Sequence, residues 1–194
     1  SVAVAALTLV MASPAAADTA KPGQSMTHIK TIAGLTSTLE SAGVVLYTKS
    51  GATSAAIGDS LASPEAHVVF HVPITSSKNT VKHAGSTLAL FNTINNSQVE
   101  LRNPVIDLRS GSVRAAIGSG PVATIFTITN AKSMKPVVKT DSATGVRTTT
   151  YTGAQLSFAL GIAGAVSDSL GLPSGSLADS APFATADITL QSAS

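Results

Sequence analysis

The sequence contains no cysteine and no tryptophan among its 194 residues, and aromatic side chains make up only 4% of it. Without cysteine, the fold has neither disulfides nor thiolate metal ligands, so a metal site would have to use histidine and carboxylate groups. Stability must therefore come from apolar burial and strand hydrogen bonds. The 44% of hydrophobic residues is enough for one core in a chain of this length.

Charged residues are also scarce, at 11% of the chain where about a quarter is usual. Disordered chains have the opposite balance of high charge and low hydrophobicity, so a folded domain is predicted. The net charge of +2 is too weak to hold a polyphosphate, and we expect no nucleic-acid partner. Lys132, Lys135 and Lys139 form a local basic cluster, which we interpret as a solvated loop.

The first residues have the pattern of a secretory signal. An apolar run from Val2 to Ala12 precedes Ala15-Ala16-Ala17, which fits an A-x-A cleavage site. The run is much shorter than the roughly 20 residues of a membrane-spanning helix, and no transmembrane segment is predicted. We therefore expect a signal-peptide-like segment at 1–17, a single β-rich domain at 18–194, and a secreted or cell-surface protein.

The central stretch, residues 79–117, has the pattern of a β-meander. Asn95-Asn96-Ser97 and Ser110-Gly111-Ser112 are turn sequences that separate three alternating runs. Alternation gives each run one inward-facing apolar side. The inward residues are Leu88, Leu90, Val99, Leu101, Val113, Ala115 and Ile117.

The remaining segments predict a mainly β fold, either an antiparallel β-sandwich or a partly closed barrel of about eight to ten strands. Residues 51–64 are predicted to be a loop, and Leu35 and Leu39 suit a short helix ending at Gly43. Further strands are predicted at 26–32, 44–48, 66–73, 122–129, 146–151 and 183–190.

One amphipathic helix is predicted at about 152–170, packed on the sheet. Thr152 and Gln155 fit a capping box, and Leu156, Leu160 and Val166 recur at helical spacing. Gly161 and Gly164 lie inside this segment, and we attribute them to close packing against a sheet face.

Histidine pairs offer little metal chemistry in the sequence. His67 and His71 share one face of a predicted strand, opposite to Val68, Phe70 and Val72, and a rise of about 3.3 Å per residue places the two histidines about 13 Å apart. They cannot share one ion, so neither a metal site nor a cofactor is predicted from the pattern.

Several short motifs occur in a characteristic order: His83-Ala84-Gly85, the segment 101–107 (LRNPVID), a helix after Thr152, and 172–175 (LPSG) before the last strand. Over about residues 28–190 this order resembles the HtaA-like domains of secreted actinobacterial proteins, some of which take part in haem uptake. The resemblance implies a β-rich fold. For haem, it implies that His83 contacts the cofactor, and Lys82, which is adjacent and cationic, would then suit a propionate.

Haem-binding members carry a tyrosine ligand in an aromatic segment with tryptophan, whereas this chain has no tryptophan and only Tyr47 and Tyr151. The alternative for His83 is a structural residue hydrogen-bonded beside the bend at Gly85. No G-x-S-x-G elbow, paired carboxylates or phosphate loop is present, so no catalytic residues and no enzymatic activity are predicted.

These observations favour a secreted, non-enzymatic cell-surface or extracellular-matrix protein. We expect it to act through contacts with other copies of itself or with cell-wall components, and self-assembly through sheet edges is one form of this. A haem-binding or haem-transport module is the alternative.

Overall fold

The computed structural model describes residues 24–193, so the expected signal segment at 1–17 lies outside the described residues. Two α-helices, α1 (Leu35–Ser41) and α2 (Ile162–Ser169), and a 3₁₀ turn at Ala131–Ser133 accompany the strands. The strands are β1 (Met26–Thr31), β2 (Val44–Thr48), β3 (Thr53–Ile57), β4 (His67–Pro73), β5 (Val81–Lys82), β6 (Thr87–Asn92), β7 (Gln98–Asp107), β8 (Ser112–Ile117), β9 (Val122–Ile128), β10 (Val137–Thr140), β11 (Val146–Phe158) and β12 (Pro182–Ala193).

The described strands form a single antiparallel sheet that curls into a nearly closed barrel. Its order is β2-β6-β7-β8-β9-β11-β12-β1-β4-β3, with β10 paired to β11 and β5 paired to β7. At the seam, the hydroxyls of Thr48 on β2 and Ser54 on β3 lie 3.4 Å apart. The predicted mainly β, partly closed barrel is confirmed, with twelve described strands instead of eight to ten.

The predicted meander is present and its turns have the expected chemistry. Asn96, between β6 and β7, has φ 59°, and Gly111, between β7 and β8, has φ 68°. The register of β7 with β8 shifts between Arg102 and Val105, where Asn103 has φ 52°. This bulge divides β7, so its first part pairs with β6 and its last part with β5.

The inside of the barrel is filled by the inward-facing side chains of these strands. Phe126, Phe158 and Phe183 form an aromatic cluster with ring centroids 4.8 to 5.2 Å apart. Val68, Phe70 and Val72 on β4 are buried, as the alternation predicts. An apolar cavity of about 40 Å³ remains among these side chains. A water molecule needs at least about 10–15 Å³ of such space, so the cavity is the size of a few water molecules.

The helix predicted at 152–170 is wrong over its first ten residues. Strand β11 continues to Phe158, and α2 begins only at Ile162. Leu156 is buried on the strand, while Leu160 is 90% exposed. Leu156 and Phe158 alternate with polar or exposed neighbours as a strand requires, and the four-residue spacing of Leu156 and Leu160 also fitted a helix.

The start of α2 is held by a side chain distant in sequence, and not by the predicted capping box. Asp179 accepts hydrogen bonds from the backbone N–H groups of Gly161, at 2.6 Å, and Ala163, at 3.0 Å. A carboxylate at a helix N-terminus satisfies free donors and opposes the helix dipole.

The two glycines of this segment have reasons other than close packing. Gly161 has φ 79°, a backbone conformation that favours glycine over other residues. Neither Gly161 nor Gly164 has a close neighbour where a Cβ would stand, so the predicted close packing is wrong.

Two other segments differ in smaller ways, and one prediction is confirmed. Residues 51–64, predicted as a loop, contain β3. The basic cluster of Lys132, Lys135 and Lys139, predicted as a solvated loop, spans the 3₁₀ turn and β10. The short helix predicted from Leu35 and Leu39 is α1. Neither α-helix, in the described range 24–193, has the length and apolar character needed to cross a membrane.

Candidate functional site

His83 lies inside the barrel, with only 1% of its surface exposed. Its Nδ1 is 2.9 Å from the carbonyl oxygen of Pro104, and its Nε2 is 2.8 Å from the hydroxyl of Thr27. A carbonyl can only accept, so Nδ1–H donates to Pro104, and Nε2 of the neutral ring accepts from Thr27. Burial lowers the pKa of His83, against a smaller opposing effect of the Pro104 carbonyl. The ring is therefore held neutral.

Lys82 does not share the environment of His83. It is the last residue of β5, and its side chain is exposed, whereas the neighbouring His83 is buried. Successive strand residues point to opposite sides, so the two residues implied by the haem resemblance lie on opposite faces of the sheet. A haem contact by His83 would require breaking at least one of its two hydrogen bonds. The haem expectation stays a prediction.

A three-stranded arm of the sheet ends in the exposed strand β10. We define the arm as β10, residues 146–151 of β11 and residues 188–193 of β12. Among the described residues, β11 pairs with β9 through Leu156–Phe158 only. At residues 147–150, the edge of β11 that faces away from β12 pairs with β10 instead. The other edge of β10 has no strand partner within residues 24–193. A free row of backbone donors and acceptors can template another strand.

Both faces of the arm are open at β10. All four residues of this strand are exposed, and Val137 and Val138 keep 54% and 45% of their surfaces accessible. Consecutive strand residues point to opposite sides, so each face of the arm carries one exposed valine. Asp141 closes the hairpin to β11 by accepting hydrogen bonds from the backbone of Ala143 and Thr144, which lower the pKa of its carboxyl.

A surface cleft of about 400 Å³ lies at the base of the arm. Tyr151 and Leu190 of the arm line it, together with Met134, and Lys78 and Arg109 supply its charged groups. No carboxylate is among its lining residues. Neither Lys78 nor Arg109 makes an ion pair with any side chain that the structure describes. The cleft therefore suits a group that combines an apolar body with a negative charge.

Two histidines that the sequence did not connect meet on the outer face of the barrel. His28 on β1 and His71 on β4 are direct partners in the antiparallel register. Their ring centroids are 4.7 Å apart and the rings are nearly perpendicular, at 74°. His67, four residues from His71, is apart from this pair and bonds the backbone oxygen of Thr31 through its Nδ1, at 2.7 Å. A single-strand pattern could not reveal a pair that only the register of β1 with β4 creates.

Comparisons with known proteins identify no relative. No protein-family model, curated protein or solved structure matches the chain. The fold itself is that of a mainly β protein built on one nearly closed antiparallel sheet.

Proposed function

We propose that this is a secreted, non-enzymatic surface or matrix protein that acts through protein contacts made at the free edge of β10. The observation that carries the proposal is the arm, whose outer strand is exposed along all four residues and lacks a strand partner among the described residues. Strand addition to such an edge gains main-chain hydrogen bonds and specificity from alternate side chains. Secretion rests on the signal-like leader at 1–17.

Within residues 24–193, the buried position of the hydroxyl–imidazole pair formed by Thr27 and His83 supports a non-enzymatic role. Thr27 and His83 have the hydrogen bond that nucleophilic catalysis uses, but their residues are 0% and 1% exposed. The cavity beside His83 holds about 40 Å³, which leaves no space for a substrate next to the hydroxyl.

The positive charge near β10 should favour some partner strands over others. Lys135 precedes β10, Lys139 belongs to it, and Arg147 faces Thr140 across the hairpin. Two β10 edges that pair directly would bring these cations together, and like charges on facing strands destabilise the pair. Self-association through β10 should therefore strengthen as salt screens the repulsion, whereas binding of an acidic partner strand should weaken.

Sizing chromatography over a range of protein concentrations, at low and high salt, tests the proposal. Val137→Lys adds charge to the edge and should reduce association, because the valine would lie within the contact. Ile57→Lys is the matched control, since Ile57 on β3 is 52% exposed, close to the 54% of Val137. Binding to isolated cell-wall fractions, with the same two variants, tests the second class of partner.

A protein that stays monomeric at every concentration and salt, and that binds no cell-wall fraction, would contradict the proposal. Association that survives Val137→Lys but not Ile57→Lys would place the contact on β3 and overturn the assignment to β10.

A further inference from the structure

His28 and His71 each have one ring nitrogen that is buried and has no hydrogen-bond partner among the described residues. These atoms are Nε2 of His28 and Nδ1 of His71. A buried polar atom without a partner costs about 1–3 kcal/mol, so two such atoms on rings in contact require an explanation. A shared ligand between the two rings would satisfy both nitrogens at once.

The geometry of the pair suits a metal ion. Zinc binds imidazole nitrogen at about 2.0–2.1 Å, so two nitrogens on one tetrahedral ion stand about 3.3 Å apart. Rings whose centroids are 4.7 Å apart can place one nitrogen of each at that separation. Both residues lie on paired strands of the barrel, β1 and β4, which hold their backbones in fixed register.

A carboxylate stands beside the pair. Asp187 on β12 is the register partner of His28, on the side opposite to His71, and its Oδ1 accepts a 2.7 Å hydrogen bond from the backbone of Gly153. Within residues 24–193, no group of three or more histidine or acidic side chains is arranged to hold a metal. Asp187 therefore contributes nearby negative charge, and the protein offers two ligands.

We propose that His28 and His71 bind one divalent transition-metal ion of the class that prefers imidazole. Both residues are half-buried, so a small rotation of the rings toward solvent lets water complete the coordination of the ion. Imidazole suits zinc, nickel and copper, whereas magnesium and calcium prefer oxygen ligands. The site is independent of the β10 edge, and its failure would leave the proposed function intact.

Calorimetric titration of the untagged protein with zinc chloride at pH 7.5 tests the site. The expected result is saturable binding of one zinc per chain, similar binding of nickel, and none of magnesium or calcium. His28→Gln and His71→Gln should each weaken zinc binding about tenfold or more, because a single imidazole remains. His67→Gln is the matched control, since His67 lies on the same strand as His71 but bonds to the Thr31 backbone.

A second measurement does not depend on the variants folding. Zinc added to the wild-type protein should shift the imidazole NMR signals of His28 and His71 and leave those of His67 and His83 unchanged. Lowering the pH below about 6 should abolish the shifts, because protons compete for the same nitrogens. No saturable zinc binding, or zinc binding that both glutamine variants retain, would overturn the proposal.

Discussion

The hydroxyl of Thr27 on β1 donates a 2.8 Å hydrogen bond to Nε2 of His83, which lies 56 residues further along the chain. Both residues are almost completely buried, so this bond joins β1 to the meander in the middle of the core. It satisfies the ring nitrogen that the Pro104 carbonyl leaves free. The neutral form of His83 is therefore part of the folded structure.

Thr27→Val should destabilise the fold by about 1–3 kcal/mol, because it keeps the shape of the side chain but leaves Nε2 of His83 buried without a donor. Thr53→Val on β3 is the control, since Thr53 is exposed and its replacement should stay within about 0.5 kcal/mol. Urea unfolding of the two variants and the wild type measures both effects. Equal stabilities for all three would mean that the buried bond contributes nothing.

Stability should fall as the pH drops below 6.5. The folded pKa of His83 lies below its usual 6.5, mainly because of burial, so the unfolded state binds the proton more readily. The stabilising effect of the neutral ring is complete above pH 6.5 and is lost as the pH falls toward the lower folded pKa. Each extra proton bound on unfolding contributes a slope of about 1.4 kcal/mol per pH unit.

Urea midpoints between pH 7.5 and 5, in buffer with a chelator, measure this slope. His83→Gln removes the titrating ring and should make the curve flatter. His28 adds to the slope in both proteins, because burial and the neighbouring His71 lower its pKa against the effect of Asp187. An identical slope in wild type and His83→Gln would contradict the prediction.

Leu160→Ala should change stability by less than about 0.5 kcal/mol, because Leu160 is 90% exposed. Leu156→Ala should cost about 2–5 kcal/mol, since Leu156 is 2% exposed and lines the interior cavity. Thermal unfolding of both variants separates the strand from the helix interpretation of this segment. A large loss in Leu160→Ala would mean that a partner or a second copy covers this leucine.

Gly164→Ala should stabilise the protein by about 0.4–1 kcal/mol, because alanine loses less backbone freedom in a helix. Apart from the backbone of α2 itself and the two neighbouring residues, no described atom lies within 4 Å of the new methyl group. Gly161→Ala should instead destabilise the protein, because Gly161 has φ 79°, a backbone conformation that is unfavourable for alanine. Melting temperatures of the two variants test the pair. Destabilisation by Gly164→Ala would require a contact at this helix face that the described residues do not provide.

Titration of haemin tests the expectation taken from the family resemblance. We expect no saturable Soret band that depends on His83, because both ring nitrogens are bonded and the interior cavity holds only about 40 Å³. His83→Gln and the exposed Lys82→Ala are compared with wild type. A saturable band in wild type that His83→Gln removes would show instead that the barrel opens around this histidine.

The sequence by itself determined the fold class and most strand positions, because alternation and turn residues act locally. Val68, Phe70 and Val72 face inward as their pattern predicts, and Asn96 and Gly111 adopt the positive φ angles that their turns need. These features depend only on neighbours along one strand. The strand at 152–158 is predicted as helix from the sequence because the four-residue spacing of Leu156 and Leu160 fits both the helical and the strand period.

Only the tertiary structure decided which side chains meet. The register of β1 with β4 joins His28 to His71, and the curl of the sheet encloses His83 beside Thr27. The order of strands also leaves β10 at a free edge and brings Asp179 to the start of α2. These contacts join residues far apart in sequence, and no local pattern encodes them because closure of the whole sheet sets their distance.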